Sequence, residues 1–318
     1  MPSDRQALAF SHTYALFAQL YLRGPVAELR TYVQAIPELS AALEDKPAAE
    51  HAADHYGLFG LNVFPYESVF LDPANTLGGA VTHGVAGFYA QAGFECAENT
   101  ADHLGCELAL LSFLCAAEVE AGNLPEQERA RGLQQHFLHR HLLRWLPAFV
   151  QAVRQQGQAF YRALAALTLE VVCSHVETLG AGLTFHAPFV LPDPPALLDD
   201  PHTGLKEIAA YLTTPAHSGL FLSRDDIGRL GRGQNLPRGF GGRRQMLTNL
   251  LRAAAEYDRL PHLLADLRGL TGEWAAFWGE MATRPGLAAI AAVWGERLEA
   301  TQDCLERIAA ALKSPPAV

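Results

Sequence analysis

The sequence predicts an all-α protein, an irregular helical bundle. Alanine and leucine dominate, alternating strand patterns are scarce, and long stretches repeat apolar residues at helical spacing. With 318 residues, 49% hydrophobic and 18% charged, the chain can bury a large core in one or two domains and is not disordered.

Residues 4–22 read as the first helix, ended by Gly24-Pro25. Pro25 opens a second, to about Ile36, and 37–44 and 47–59 read as two shorter ones. VFPYESVF, 63–70, reads as a loop corner, with Phe64 and Phe70 turned inward. A glycine-bearing helix is expected over 75–92. In 101–121, Leu104, Leu108, Leu111 and Cys115 form one stripe, which Leu110, Phe113 and Leu114 widen. That helix should be buried on most sides. Residues 126–155 read as a helix pair or one bent helix, with Pro147 as the break. In 157–178, Phe160, Leu164, Leu167 and Val171 mark the packed face.

The texture then changes. Residues 181–203 are rich in proline and glycine and read as a connector between 1–180 and 204–318. Beyond it, helices are expected near 203–213, 223–230, 243–258, 261–282 and 286–313, with a glycine-rich loop at 231–242. The last helix spaces Ile290, Trp294, Leu298, Leu305, Ile308 and Leu312 for packing.

A formal charge of -10, with no basic tail, argues against broad nucleic-acid binding and favours cationic partners. No segment reads as a signal peptide or a spanning helix. The five cysteines form no Cys-x-x-Cys pair and read as reduced, mostly packed thiols, which points to the cytoplasm.

Three stretches carry candidate chemistry. In TADHLGCELALLSFL, 100–114, Thr100 is a candidate cap and Asp102 falls where the helix dipole favours a negative charge. His103 and Glu107 are one turn apart. These groups read either as local helix chemistry or as an acidic and imidazole patch at the mouth of an apolar groove. In HFLHRHLLRW, 136–145, His141 does not share the face of His136 and His139, and Leu142 and Trp145 read as core. His51 and His55 are spaced as a zinc pair but lack the glutamate of a hydrolytic site. No metal or other cofactor is expected. The segment 220–245 carries arginines 224, 229, 232, 238, 243 and 244 against Asp225 and Asp226. Ser223 to Asp226 fits a capping box, and Gly242, Arg243 and Arg244 are candidate anion ligands at a helix start. No nucleophile signature is present, so no enzyme is expected.

Taken in order, YGLFG (56–60), VFPYESVFL (63–71), GFYAQAGF (87–94), ADHLGCELALLSFL (101–114), FLHRHLLRWLPAFV (137–150) and FYRALAALTLEVV (160–172) resemble the TorD/DmsD family of redox-enzyme maturation chaperones. The resemblance covers roughly residues 5–180. It implies a TorD-like helical bundle, here with additional C-terminal helices, and no catalytic reaction. The implied partner is the twin-arginine leader or apoprotein of a molybdopterin-dependent oxidoreductase, held in the cytoplasm until its cofactor is inserted. Carried over by position, the implied peptide site is Pro65, Tyr66, Glu67, Asp102 and His103. Helical geometry adds Leu104, Glu107 and Trp145. Two departures stand out. Ala101 occupies a position where many members have proline, and residues past about 185 have no placed counterpart. The rival reading is a helical nucleotide- or phosphate-binding protein that uses the 220–245 loop. Oligomeric state is left open.

Overall fold

The computed structural model describes residues 2–74, 76–96, 100–180, 188–200, 202–237 and 239–312. These residues are helical, with no strand among them; one isolated antiparallel bridge joins Tyr66 and His103. They divide into two compact units. The first is Met1–Asp72 with Thr76–Pro188, and the second is Phe189–Val318 with Pro73–Asn75.

In the first unit α1 (Pro2–Arg23) is followed by a 3-10 turn, Ala27–Leu29, and α2 (Arg30–Gln34). The helix expected from Pro25 thus starts later, because Gly24 turns the chain at φ +73°. Next come α3 (Pro37–Ala42) and α4 (Ala48–His55), which runs into a wider π turn at Tyr56–Gly60. The corner is not wholly a loop, since it holds α5 (Glu67–Leu71). The following helix, α6 (Ala80–Ala92), begins after the Gly78-Gly79 turn rather than at 75. Then come α7 (Leu104–Glu120), α8 (Leu124–Phe137), a π turn at Leu138–Leu142, α9 (Leu143–Gln156) and α10 (Ala159–Leu179). The bend in 126–155 therefore lies at the π turn, and Pro147 sits inside α9.

The core of this unit is α7 packed along α1. Leu104, Leu108, Leu111 and Cys115 are fully buried, as are Tyr14 and Leu20 of α1. The two helices approach closely at Gly105. A Cβ there would lie 2.6 Å from Leu22 Cγ and 3.0 Å from the Ala18 carbonyl oxygen. Phe113 departs from expectation: it is 40% exposed, so one flank of α7 is uncovered. On α10 the packed face runs through Phe160, Leu164, Leu169 and Val172, while Leu167 and Val171 are half-buried. By length and composition alone α10 would also pass for a membrane-crossing helix, but 44% of its apolar window is buried in this packing.

The second unit comprises α11 (Leu205–Leu212), α12 (Pro215–Ser218), α13 (Arg224–Gly233), α14 (Arg243–Glu256), α15 (Leu260–Ala282) and α16 (Ala288–Ala311). Helix α13 takes in Gly231 and Gly233, which shortens the expected glycine loop. The capping box forms, with Ser223 and Asp226 each accepting from the other's backbone N–H at 3.0 Å. The long pair α15 and α16 is joined by Trp278 stacked on Trp294 at 5.5 Å. Gly219, at φ +74°, allows the chain to pass α16, where a Cβ would meet the Leu298 nitrogen at 2.6 Å. On α16 the packed positions end at Leu305, with Ile308 half-buried and Leu312 exposed. The stretch 181–187, Pro201 and Arg238 lie outside the described residues.

Candidate functional site

Pro65 and the residues after it run antiparallel to Asp102, His103 and Leu104. The Leu104 N–H donates to the Pro65 carbonyl at 2.8 Å, and the Glu67 N–H donates to the Asp102 carbonyl at 2.9 Å. The Tyr66 ring then meets the His103 ring edge to face, 4.9 Å between centroids. Two segments far apart in sequence are thereby locked together at the start of α7.

Asp102 acts at the helix beside its own. Its carboxylate accepts from the Ser68 N–H at 3.0 Å and from the Thr82 hydroxyl at 2.9 Å. It therefore caps α5 and ties it to α6, and it precedes α7 instead of lying in its first turn. Thr100 is not the cap of α7. That role falls to His103, whose Nδ1 accepts from the Gly105 N–H at 3.0 Å. Burial lowers the His103 pKa to about 4, with His55 adding to the shift and Asp102 opposing it. The ring is neutral at pH 7, which leaves Nδ1 free to accept.

Behind this pair lie two further carboxyls. Glu67 accepts from His141 Nδ1 at 3.0 Å. Glu107 does not pair with His103; it accepts from Trp145 Nε1 at 3.3 Å. Burial, and then the neighbouring Glu67 and Asp102, push the Glu107 carboxyl well above the usual range. Tyr89 closes the group by donating to the Ala101 carbonyl at 2.6 Å. Phe70 is sealed against Trp145 at 5.5 Å between rings, while Phe64 is only half-buried.

The site residues expected from the sequence are thus brought together, but not as an open acidic patch. Asp102, Leu104, Glu107 and Trp145 are fully buried, and Pro65, Glu67 and His103 nearly so. Tyr66 alone among them is half-exposed. The physical reason is that Asp102 and Glu67 are spent on donors of neighbouring elements. Thr82, Ser68, Tyr89 and His141 belong to the same network. No local pattern announces them, since each partner is 12 or more residues away.

The cysteines also need correction. Cys96 and Cys106 form a disulfide, with Cα atoms 5.8 Å apart, while Cys115, Cys173 and Cys304 are free. The chain returning from α6 to α7 brings Cys96 onto the first turn of α7. Among the described residues no cluster of His, Cys, Asp and Glu is arranged to hold a metal. His55 Nε2 instead bonds the Tyr21 carbonyl at 2.9 Å.

In the second unit, Gly242 precedes α14 and Arg244 is exposed. Arg243 is committed to the fold. It donates to the Leu222 carbonyl at 3.1 Å and lies over the Phe221 ring at 4.3 Å, and burial lowers its pKa to about 10. Gly242, Arg243 and Arg244 nevertheless line one open pocket of about 670 Å³, with Arg243 buried and Arg244 exposed.

Residues 26–151 match the family described as nitrate reductase delta subunit. The chain is also 34% identical over 176 residues to the chaperone protein TorD of Aeromonas salmonicida (strain A449), across 52% of this chain and 78% of that protein. The chain belongs to the TorD family of redox-enzyme maturation chaperones. The family match spans the corner, the Asp-His start of α7, the π turn carrying His141 and the part of α9 carrying Trp145. For this TorD-family chain, the all-α bundle and the chaperone class agree with the resemblance read from the motifs.

Proposed function

We propose that the protein is a cytoplasmic, non-catalytic chaperone that holds the twin-arginine leader or the apo form of a molybdopterin oxidoreductase subunit until its cofactor is inserted. The observation that carries this reading is the Tyr66–His103 bridge. It presents one half-exposed aromatic ring on a scaffold made rigid by buried, hydrogen-bonded carboxyls. Such a ring offers a firm apolar contact at small entropic cost. In this reading Tyr66 contacts the client, with Pro65 and His103 beside it. Glu67, Asp102, Leu104, Glu107 and Trp145 hold that edge in place. Client holding belongs to the first unit, and 204–318 is a helical extension.

The test is co-purification from the native host, with mass spectrometry of what is retained. A molybdopterin oxidoreductase subunit should be recovered with the wild type. Recovery should fall roughly tenfold with Tyr66→Ala, on the scale of losing a central aromatic contact, at unchanged thermal stability. Recovery of no such subunit would reject the reading.

A further inference from the structure

The uncovered flank of α7 is part of an open groove of about 430 Å³ in the first unit. Its walls are the end of α6, the second half of α7 and the first half of α8. Ala92, Ala117, Ala121 and Ala130 line it, and their small side chains are what leave it unfilled. Phe113 and Leu133 supply the larger apolar surface. The Phe113 ring is held by Phe94, 5.5 Å away between centroids, so the wall is braced.

The charges around the groove are unequal. Glu120 and Glu126 line it and are both exposed, against one cation, Arg129. Glu126 uses one carboxylate oxygen to accept from the Gly122 N–H at 3.0 Å, which fixes it at the α7–α8 turn. Glu120 has no ion-pair partner among the described residues. The neighbouring Arg131 does not offset these acids, because it is paired with Glu118 at 2.6 Å on the buried side. An apolar channel with fixed acids at one end disfavours anionic lipid and nucleic acid, and a second copy of a chain of charge -10 would meet like charge. It favours an apolar segment that carries a cation next to its apolar face.

We propose that the groove formed by α6, α7 and α8 is the docking surface for the leucine-rich part of a client leader, with the leader's arginines set against Glu120 and Glu126. This rests on the chaperone reading above and gives it a second contact region, separate from the Tyr66 edge. Apolar side chains enter over Ala117 and Ala121, and the acids select for the adjacent cations.

The experiment titrates a fluorescein-labelled synthetic peptide, two adjacent arginines ahead of a leucine-rich stretch, into the full chain and follows anisotropy. Ala117→Trp fills the groove, and Glu120→Lys with Glu126→Lys reverses its rim. Each should weaken binding about tenfold or more, the range set by one charge-assisted hydrogen bond or one buried apolar side chain. A peptide with both arginines replaced by glutamine should bind weakly to the wild type and be insensitive to the rim reversal. Wild-type affinity in both variants, with loss only in Tyr66→Ala, would overturn the groove while leaving the chaperone function standing. A concentration-dependent dimer broken by Ala117→Trp would assign the groove to self-association and also overturn it. If the wild type binds neither this peptide nor any molybdoenzyme subunit, the chaperone reading fails and takes the groove with it.

Discussion

The two ends of α7 use acidic side chains in opposite ways. At its start, Asp102 and Glu107 are fully buried and hold Ser68, Thr82 and Trp145. At its far end, Glu120 lies exposed beside an apolar groove. What separates them is the supply of unpaired donors. The first turn of α5 has free N–H groups and Thr82 a free hydroxyl, so a carboxylate placed there is consumed by the fold. At the end of α7 the free N–H groups are already taken, Gly122 by Glu126 and Glu126 by the Asn123 cap, and Glu120 stays available to a partner. A carboxylate beside leucines is therefore not by itself a binding group.

The largest expected effect sharpens this contrast. Asp102→Ala removes two charge-assisted hydrogen bonds and should destabilise by roughly 3–5 kcal/mol in urea unfolding. Loss of client binding in that variant would accordingly report unfolding rather than a lost contact. A cost under about 1 kcal/mol, the scale of an exposed charge, would place Asp102 with Glu120 and break the comparison.

The pH dependence comes next. The His103 pKa is lowered to about 4 in the fold, so the unfolded chain takes up the proton first as pH falls. Stability from this group is complete above the ordinary histidine value near 6.5 and is lost as pH drops toward 4, by about 3 kcal/mol. His103→Asn keeps an oxygen to accept from the Gly105 N–H and removes the titration. As pH falls through that window the wild type should lose about 3 kcal/mol relative to the variant, which does not titrate there. His175, which burial lowers to about 3, is common to both and cancels. Parallel curves would show that His103 is open to water like the groove.

A smaller effect links the two ends. The Cys96–Cys106 bond ties Cys96, two residues after Phe94, to the first turn of α7, and Phe94 is the ring braced on Phe113. Cys96→Ser should cost up to about 2.5 kcal/mol without reductant, and nothing when both proteins are measured in dithiothreitol. An equal cost in both conditions would mean that packing, not the cross-link, holds Cys96 against α7.

Much of the fold was legible because it rests on local periodicity. The stripe Leu104, Leu108, Leu111, Cys115 is fully buried as its spacing requires, and the Ser223–Asp226 capping box forms. The expectations that failed depend on what lies opposite a residue. Thr100 yielded the cap to His103 because the chain entering α7 is pinned to Pro65. Phe113 stayed exposed because Ala92 and Ala130 face it across the groove, where larger side chains would have covered it. The corner motif and the Asp-His start were recognisable together. Their burial was not, because His141 and Thr82 lie far along the chain from the acids they meet.

Taken alone, the sequence determined the helices, their buried stripes and the chaperone family, since each follows from spacing or from motifs read in order. Only the tertiary structure decided which charges are spent and which are open. That follows from where unpaired donors of one helix fall against acids of another, and a linear pattern does not contain those pairings.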